Sequence, residues 1–355
     1  MILTLFGYPK TGKTLLFNLL AGQHETVSKF SASTNDFHKA MVDVPDDRLK
    51  KLADMFDTPP VYAKIEFLDT GAIAFRDAKS SVFLDLLRRA DGLVHVVRGY
   101  EDKELLHAHE TIDPARDIKE MEEELRTVDY FSIEKRLERL VGDIKKIKSK
   151  ELVEEYDLLL ILKARLEENI PLRMVEMTEV QRSRIRGFSF LSQKPVMHII
   201  NADETTYHTY KSLVTPLKDH AMVQICCGQI ETELLELPVE DRDLFQSEYG
   251  LDDYQYIREH FIRSSYQLLS LQSFFTVGHD ETKAWTVDAG ATALEAAGKI
   301  HSDIAQGFIR AEVIGYQAFL DAGGFTQAKD TGALRLEGKE YRVVDGEIVH
   351  FRFNK

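Results

Sequence analysis

The chain has 355 residues, 44% hydrophobic and 29% charged, with a formal net charge of −14. This composition excludes a disordered or collagen-like chain, and the length predicts two or three domains. The acidic balance argues against DNA and against non-specific nucleic-acid binding through a basic surface. No apolar run reaches the roughly 18 residues of a membrane span, so no membrane contact is expected.

From residue 1 to about 114, short apolar runs alternate with loops and helices. Residues 2–6, 65–68 and 93–97 read as buried parallel strands, and 15–20 and 82–87 as helices between them. This is the pattern of an α/β domain with a mostly parallel sheet. Residues 30–34 are polar and loop-like. From 118 to 187 charges of both signs crowd the chain. Ile133, Leu137, Leu140, Ile144 and Ile147, then Leu158, Leu162 and Leu166, recur at helical spacing. That predicts an inserted antiparallel helical hairpin with its tip at Ser149-Lys150. Strand texture returns at 195–200 and 222–225, and 241–271 reads as helix. The remainder is a small α+β unit. It has a strand at 285–287, a helix over 292–304, and a hairpin of 341–344 with 348–353 around Asp345-Gly346. The domains expected are 1–117 with 190–270, the helical insertion 118–189, and 271–355.

No basic stretch or cleavage site marks the first residues as a signal peptide. The two cysteines, Cys226 and Cys227, are adjacent and form no disulfide framework, so a reducing cytoplasm is the expected compartment.

The chemistry is concentrated near the start. Gly7, Pro9, Lys10, Thr11, Gly12, Lys13 and Thr14 fall in Gly-x-x-x-x-Gly-Lys-Thr, preceded by a strand and followed by a helix. The glycines let backbone N–H groups curl around phosphate, and the helix N-terminus adds its dipole. Lys13 reaches the β- and γ-phosphates, and Thr14 offers a hydroxyl to Mg²⁺. A second Mg²⁺ anchor is expected at a neighbouring strand end, and Asp69 closes the run Glu66-Phe67-Leu68-Asp69. Thr34 lies where a switch residue would close over the γ-phosphate and metal. Asn201-Ala202-Asp203-Glu204 follows a later strand, where a base is read. Ala202 and Glu204 replace the Lys and Asp of the guanine-reading Asn-Lys-x-Asp, which disfavours strict guanine specificity. The histidines show no His-x-x-x-His or Cys/His spacing, so no zinc site is expected.

These motifs resemble the YchF or Obg-like ATPase family end to end. Gly7 to Asn18 is similar to its phosphate loop, Val44-Pro-Asp-Asp-Arg-Leu49 to its V-P-D-x-R-L, and Asp91 to Arg98 to its D-A-I-x-H-V-V-R. The stretches 285–286, 296–303, 307–313, 335–339 and 345–354 resemble its C-terminal ubiquitin-like TGS domain. The resemblance implies a P-loop hydrolase that converts ATP, or GTP, with Mg²⁺ and works with the ribosome. It implies that Asn201 and Glu204 set ATP preference, that Cys227 stands in the loop beside the base, and that His107 assists hydrolysis together with Lys13. The sequence departs from the family after Asp69, where the Gly-rich switch segment is shortened. The family's switch cysteine is Ser33 here. That departure supports an alternative, a nucleotide-binding interaction module that does not hydrolyse.

Overall fold

The structure is a computed structural model that describes residues 1–22, 27–32, 35–70, 81–102, 105, 107, 109–251 and 256–354. Its strands are β1 (Ile2–Phe6), β2 (Val27–Ala32), β3 (Asn35–Asp43), β4 (Pro60–Val61), β5 (Lys64–Asp69), β6 (Gly92–Gly99), β7 (Val196–Ala202), β8 (Thr215–Lys218), β9 (Ala221–Cys226), β10 (Leu271–Val277), β11 (Thr282–Asp288), β12 (Phe308–Ile314), β13 (Arg335–Glu337) and β14 (Ile348–Phe353). The helices are α1 (Lys13–Ala21), α2 (Asp47–Phe56), α3 (Ser81–Arg89), α4 (Pro114–Lys146), α5 (Lys150–Glu167), α6 (Glu179–Ile185), α7 (Tyr207–Tyr210), α8 (Gly228–Glu236), α9 (Val239–Glu248), α10 (Ile257–Leu268), α11 (Ala293–Ile300), α12 (Ser302–Gln306), α13 (Tyr316–Ala322) and α14 (Phe325–Asp330).

The contacts divide the chain into two compact units, Met1–Met41 with Glu66–Arg258, and Val42–Ile65 with Glu259–Lys355. The first unit is built on a sheet of order β2-β3-β5-β1-β6-β7-β9-β8. The pairs β5–β1, β1–β6, β6–β7 and β7–β9 are parallel, and β2–β3 and β8–β9 antiparallel. β6 and β7 are buried at every residue, which is why they read as mostly apolar runs rather than alternating ones, with His95, Arg98, His198 and Asn201 buried among them. Phe6, Phe83, Leu87, Leu93, Met121, Leu125 and Val196 form a core that ties α3 and the start of α4 to the sheet.

The helical hairpin forms as the Leu/Ile spacing predicts up to Ile144, while Ile147 lies past the end of α4, extended and exposed. α4 starts on the Asp113 cap, whose carboxylate accepts from the Arg116 N–H, with Pro114 at its first position. Ile133, Leu137 and Leu140 of α4 pack with Leu158, Leu159, Leu162 and Leu166 of α5. The buried Asp129 carboxylate accepts from Leu191 N, Ser192 N and Ser192 Oγ at 2.6–2.8 Å, fastening α4 to the segment before β7. Burial raises that carboxyl to about 6 despite these donors.

The second unit carries a sheet of order β13-β12-β14-β10-β11-β4, with α11 and α12 packed on its core of Phe274, Val287, Ala296, Val313 and Phe351. Residues 42–65, read from sequence as part of the nucleotide-binding domain, have their contacts here: β4 pairs with β11, and Arg48 of α2 donates to Asp345 at 2.7 Å.

Four expectations change. Residues 30–32 belong to β2, paired with β3, and are not loop. The helix foreseen over 241–271 is two helices, and Leu271 begins a strand. The helix foreseen over 292–304 breaks after Ile300, where His301 is extended and caps α12. No hairpin forms at Asp345-Gly346: residues 341–344 make a single bridge at Arg342, and β14 pairs with β12 and β10. The Asp345 carboxylate is taken by Arg48 and by the Ser273 N–H, so the Asp-Gly turn serves a long-range contact.

Candidate nucleotide site

The phosphate loop joins β1 to α1, and its two glycines are fixed by their neighbours. Gly7 has φ 145°, and a Cβ there would stand 2.4 Å from the Val96 carbonyl oxygen of β6. Gly12 has φ 88°, and a Cβ there would stand 2.2 Å from Asn201 Nδ2. Only glycine meets both demands. Gly12 is also the cap residue of α1 and supplies no side chain, so the first-turn N–H groups face outward without a side-chain cap. No acidic residue occupies that first turn. Pro9 is half-buried and Lys10 exposed at the loop's outer edge, while Thr11 is buried and its hydroxyl donates to Tyr8 O.

Lys13 is 4% exposed, and its ammonium donates to the Gly7 and Tyr8 carbonyls at 3.2 and 2.8 Å. Burial lowers it to about 8, against the opposing pull of Asp69. Thr14 Oγ1 donates to Asp69 Oδ2 at 2.9 Å, and Asp69 is fully buried at the end of β5. The two proposed metal anchors, 55 residues apart in sequence, are therefore adjacent. A buried carboxylate beside a hydroxyl is a hard oxygen set suited to Mg²⁺, which takes a few protein oxygens and fills the rest with water and phosphate. His38 of β3 places Nδ1 3.8 Å from the same Asp69 oxygen. Thr34 and residues 71–80, the remainder of the expected switch apparatus, lie outside the described residues.

Asn201 ends up as a clamp. Its Nδ2 donates to Thr11 O at 3.2 Å, and its Oδ1 accepts from the Gly228 N–H at 3.1 Å. It thus ties the phosphate loop to the start of α8. Asp203 caps the following turn through Thr205 and Thr206. Burial pushes its carboxyl up, but those donors outweigh it and hold it below the usual range. Glu204 is exposed beside it. The Cys227 side chain is fully buried among Ala202, Tyr207, Ile230 and Leu234, so its thiol packs inward at the start of α8. Burial lifts the Cys227 thiol to about 12 and raises that of Cys226 as well, which leaves both as unreactive packing groups.

His107 is 8% exposed. Its Nδ1 accepts from the His109 N–H, and its Nε2 lies 3.1 Å from Asp117 Oδ2. Both ring nitrogens are thus engaged within the segment that leads into α4. Burial lowers its pKa, with Asp117 opposing. Two contributors escaped the sequence reading. Arg98 is 1% exposed, and its guanidinium donates to the carbonyls of Tyr100, Asp102 and Leu105, shaping the loop after β6. Tyr100 then donates its hydroxyl to the Lys10 carbonyl. A charged residue near the end of a mostly apolar strand was the available signal for Arg98. Glu122, one of the charges that crowd 118–187, is largely buried in the fold. It pairs with His198 and Arg173, which outweigh the effect of burial and hold it at about 2.

The family model MMR_HSR1, 50S ribosome-binding GTPase, matches residues 2–135, and YchF-GTPase_C, described as a protein of unknown function, matches 271–354. The Bacillus subtilis ribosome-binding ATPase YchF is 36% identical over 360 residues, covering 98% of each chain. The chain belongs to the YchF family. The rice Obg-like ATPase 1 is 31% identical over 98% of this YchF-family chain and 91% of its own length. The solved structure of the Schizosaccharomyces pombe YchF GTPase superposes with a TM-score of 0.81, covering 99% of this chain and 97% of that one at 24% identity, and shares its fold.

Proposed function

We propose that this protein binds ATP with Mg²⁺, hydrolyses it slowly to ADP and phosphate, and does so in association with the ribosome in the cytoplasm. The observation that carries the nucleotide reading is the Thr14–Asp69 hydrogen bond, which closes the phosphate loop onto the acid of β5. The ribosome enters through the relatives' names.

The chain's own residues divide the work. The N–H groups from Gly12 onward surround the phosphates, and Lys13 exchanges the Gly7 and Tyr8 carbonyls for phosphate oxygens. Thr14 and Asp69 hold Mg²⁺, which supplies charge neutralisation at the transferring phosphoryl group, with Thr34 as the further ligand. Asn201 keeps the loop in shape, and the exposed Glu204 stands at the base. The longer Glu204 does not reproduce the two-oxygen geometry with which an Asp holds guanine, so ATP is bound at least as well as GTP. A direct role for His107 in placing water requires its ring to leave the Asp117 pocket. In the domain reading, residues 1–117 with 190–270, less the segments 42–65 and 259–270 whose contacts lie in the second unit, form the nucleotide domain, 118–189 the helical insertion and 271–355 a TGS module.

Single-turnover hydrolysis of ATP and GTP, with and without ribosomes, tests this. The expected result is slow ATP turnover, dependent on Mg²⁺, abolished in Lys13→Ala and changed by ribosomes. The shortened segment after Asp69 favours a second reading, a module that binds nucleotide without turning it over. That reading predicts thermal protection by ATP with no phosphate release.

A further inference from the structure

We propose that His109, Asp117 and Glu120 form a second divalent-metal site, for a first-row transition ion of the Zn²⁺ type, separate from Thr14 and Asp69 and independent of the nucleotide reading. The His109 Nε2 atom, one Asp117 oxygen and one Glu120 oxygen lie within 4.8 Å of one another, with His109 Nε2 and Glu120 Oε2 at 2.7 Å. Coordination at roughly 2.0–2.2 Å from a common centre needs ligand atoms about 3.3–3.5 Å apart, a spacing small side-chain rotations reach.

Three observations point to a ligand here beyond a local ion pair. Asp117 is 1% exposed, an environment in which carboxylates are paired or bound to metal. Its Oδ1 accepts from Arg116, while Oδ2 lies 3.1 Å from His107 Nε2 in a geometry that is not a hydrogen bond. His109 Nε2 is likewise buried and, although 2.7 Å from Glu120 Oε2, makes no bond of hydrogen-bond geometry. The surroundings also supply an outer layer. His107 accepts the His109 N–H at Nδ1, so its neutral ring carries the proton on Nε2, facing Asp117 Oδ2 at 3.1 Å. That arrangement orients a ligand carboxylate, as outer partners do at metal sites. The Tyr8 hydroxyl donates to Glu120 Oε2 at 3.2 Å and orients the other carboxylate.

One imidazole and two carboxylates with a side open to water match a three-ligand Zn²⁺ site that keeps one position free. The pattern escapes sequence inspection because the histidine lies in a loop and its carboxylates follow on α4 at i and i+3. The sequence expectation of no zinc site rested on His and Cys spacing alone.

The test uses the full chain, stripped with chelator and titrated with Zn²⁺, and with Co²⁺ as a visible-absorption probe, in excess Mg²⁺. One equivalent should bind to the wild type, and equally to Asp69→Asn. Binding should weaken at least about 100-fold in His109→Ala and in Glu120→Gln, and about 10–100-fold in His107→Ala. His109 and Glu120 are partly exposed, and thermal melts of both variants establish that they fold; if one does not, the other decides. Absence of stoichiometric metal in the wild type overturns the proposal and leaves an ion pair only. So does loss of the metal in Asp69→Asn, or less than tenfold weakening in the folded ligand variants.

Discussion

Replacing Asn201 with alanine tests whether the phosphate loop is held from below. The side chain is 4% exposed and bridges two main-chain groups, the Thr11 carbonyl and the Gly228 N–H. Alanine leaves both buried groups without these partners. At about 1–3 kcal/mol for each orphaned buried group, the loss is about 3 kcal/mol. For a unit of this size, that lowers the melting transition by roughly 6–12 °C. The same substitution frees the loop to leave its binding shape, and restoring it on binding weakens ATP affinity by about tenfold, 1.4 kcal/mol. Thermal and urea unfolding without nucleotide, together with ATP titration at a temperature where the variant is folded, read the two effects separately. A variant with unchanged melting and unchanged ATP affinity would refute the clamp. A variant that melts lower yet binds ATP normally would confine Asn201 to stability.

Lys13 gives a pH prediction. Its ammonium is lowered to about 8 from an ordinary value of 10.5, so between these pH values the unfolded chain binds more protons at this position, and this residue's contribution to nucleotide-free stability rises with pH. Bound phosphate favours the charged form, so ATP affinity should fall above pH 8 by up to about tenfold per pH unit. Binding at pH 9 should take up a proton, seen by calorimetry in buffers of different ionisation heat; no uptake would contradict the buried ammonium. Gly7→Ala should cost about 3 kcal/mol or more, because its φ of 145° and the Val96 carbonyl at 2.4 Å both exclude a Cβ. Denaturant unfolding within about 1 kcal/mol of wild type would show that the loop tolerates the methyl.

What could be read from the sequence was local. The phosphate loop is a contiguous run whose strand, glycines and helix are neighbours in the chain, so Gly7 to Thr14 declares itself. The parallel strands 2–6, 65–68 and 93–97 are mostly apolar runs, each interrupted by a single polar residue, Thr4, Glu66 and His95, and the hairpin writes its leucines at helical spacing. The tertiary structure decided whatever depends on a distant partner. Asp345-Gly346 carries a turn signal, yet Arg48, 297 residues away, takes its carboxylate and no hairpin forms. Residues 42–65 look like part of the α/β domain, and their pairing with β11 sets them elsewhere. Asn201 looks like a base reader, and only the fold shows both ends of its amide taken by the phosphate loop and α8. Glu122 looks solvated until His198 and Arg173 close around it. Sequence periodicity reports which face of an element is buried; the identity of the group across from a polar atom is set by chain crossings, and that only the packed structure supplies.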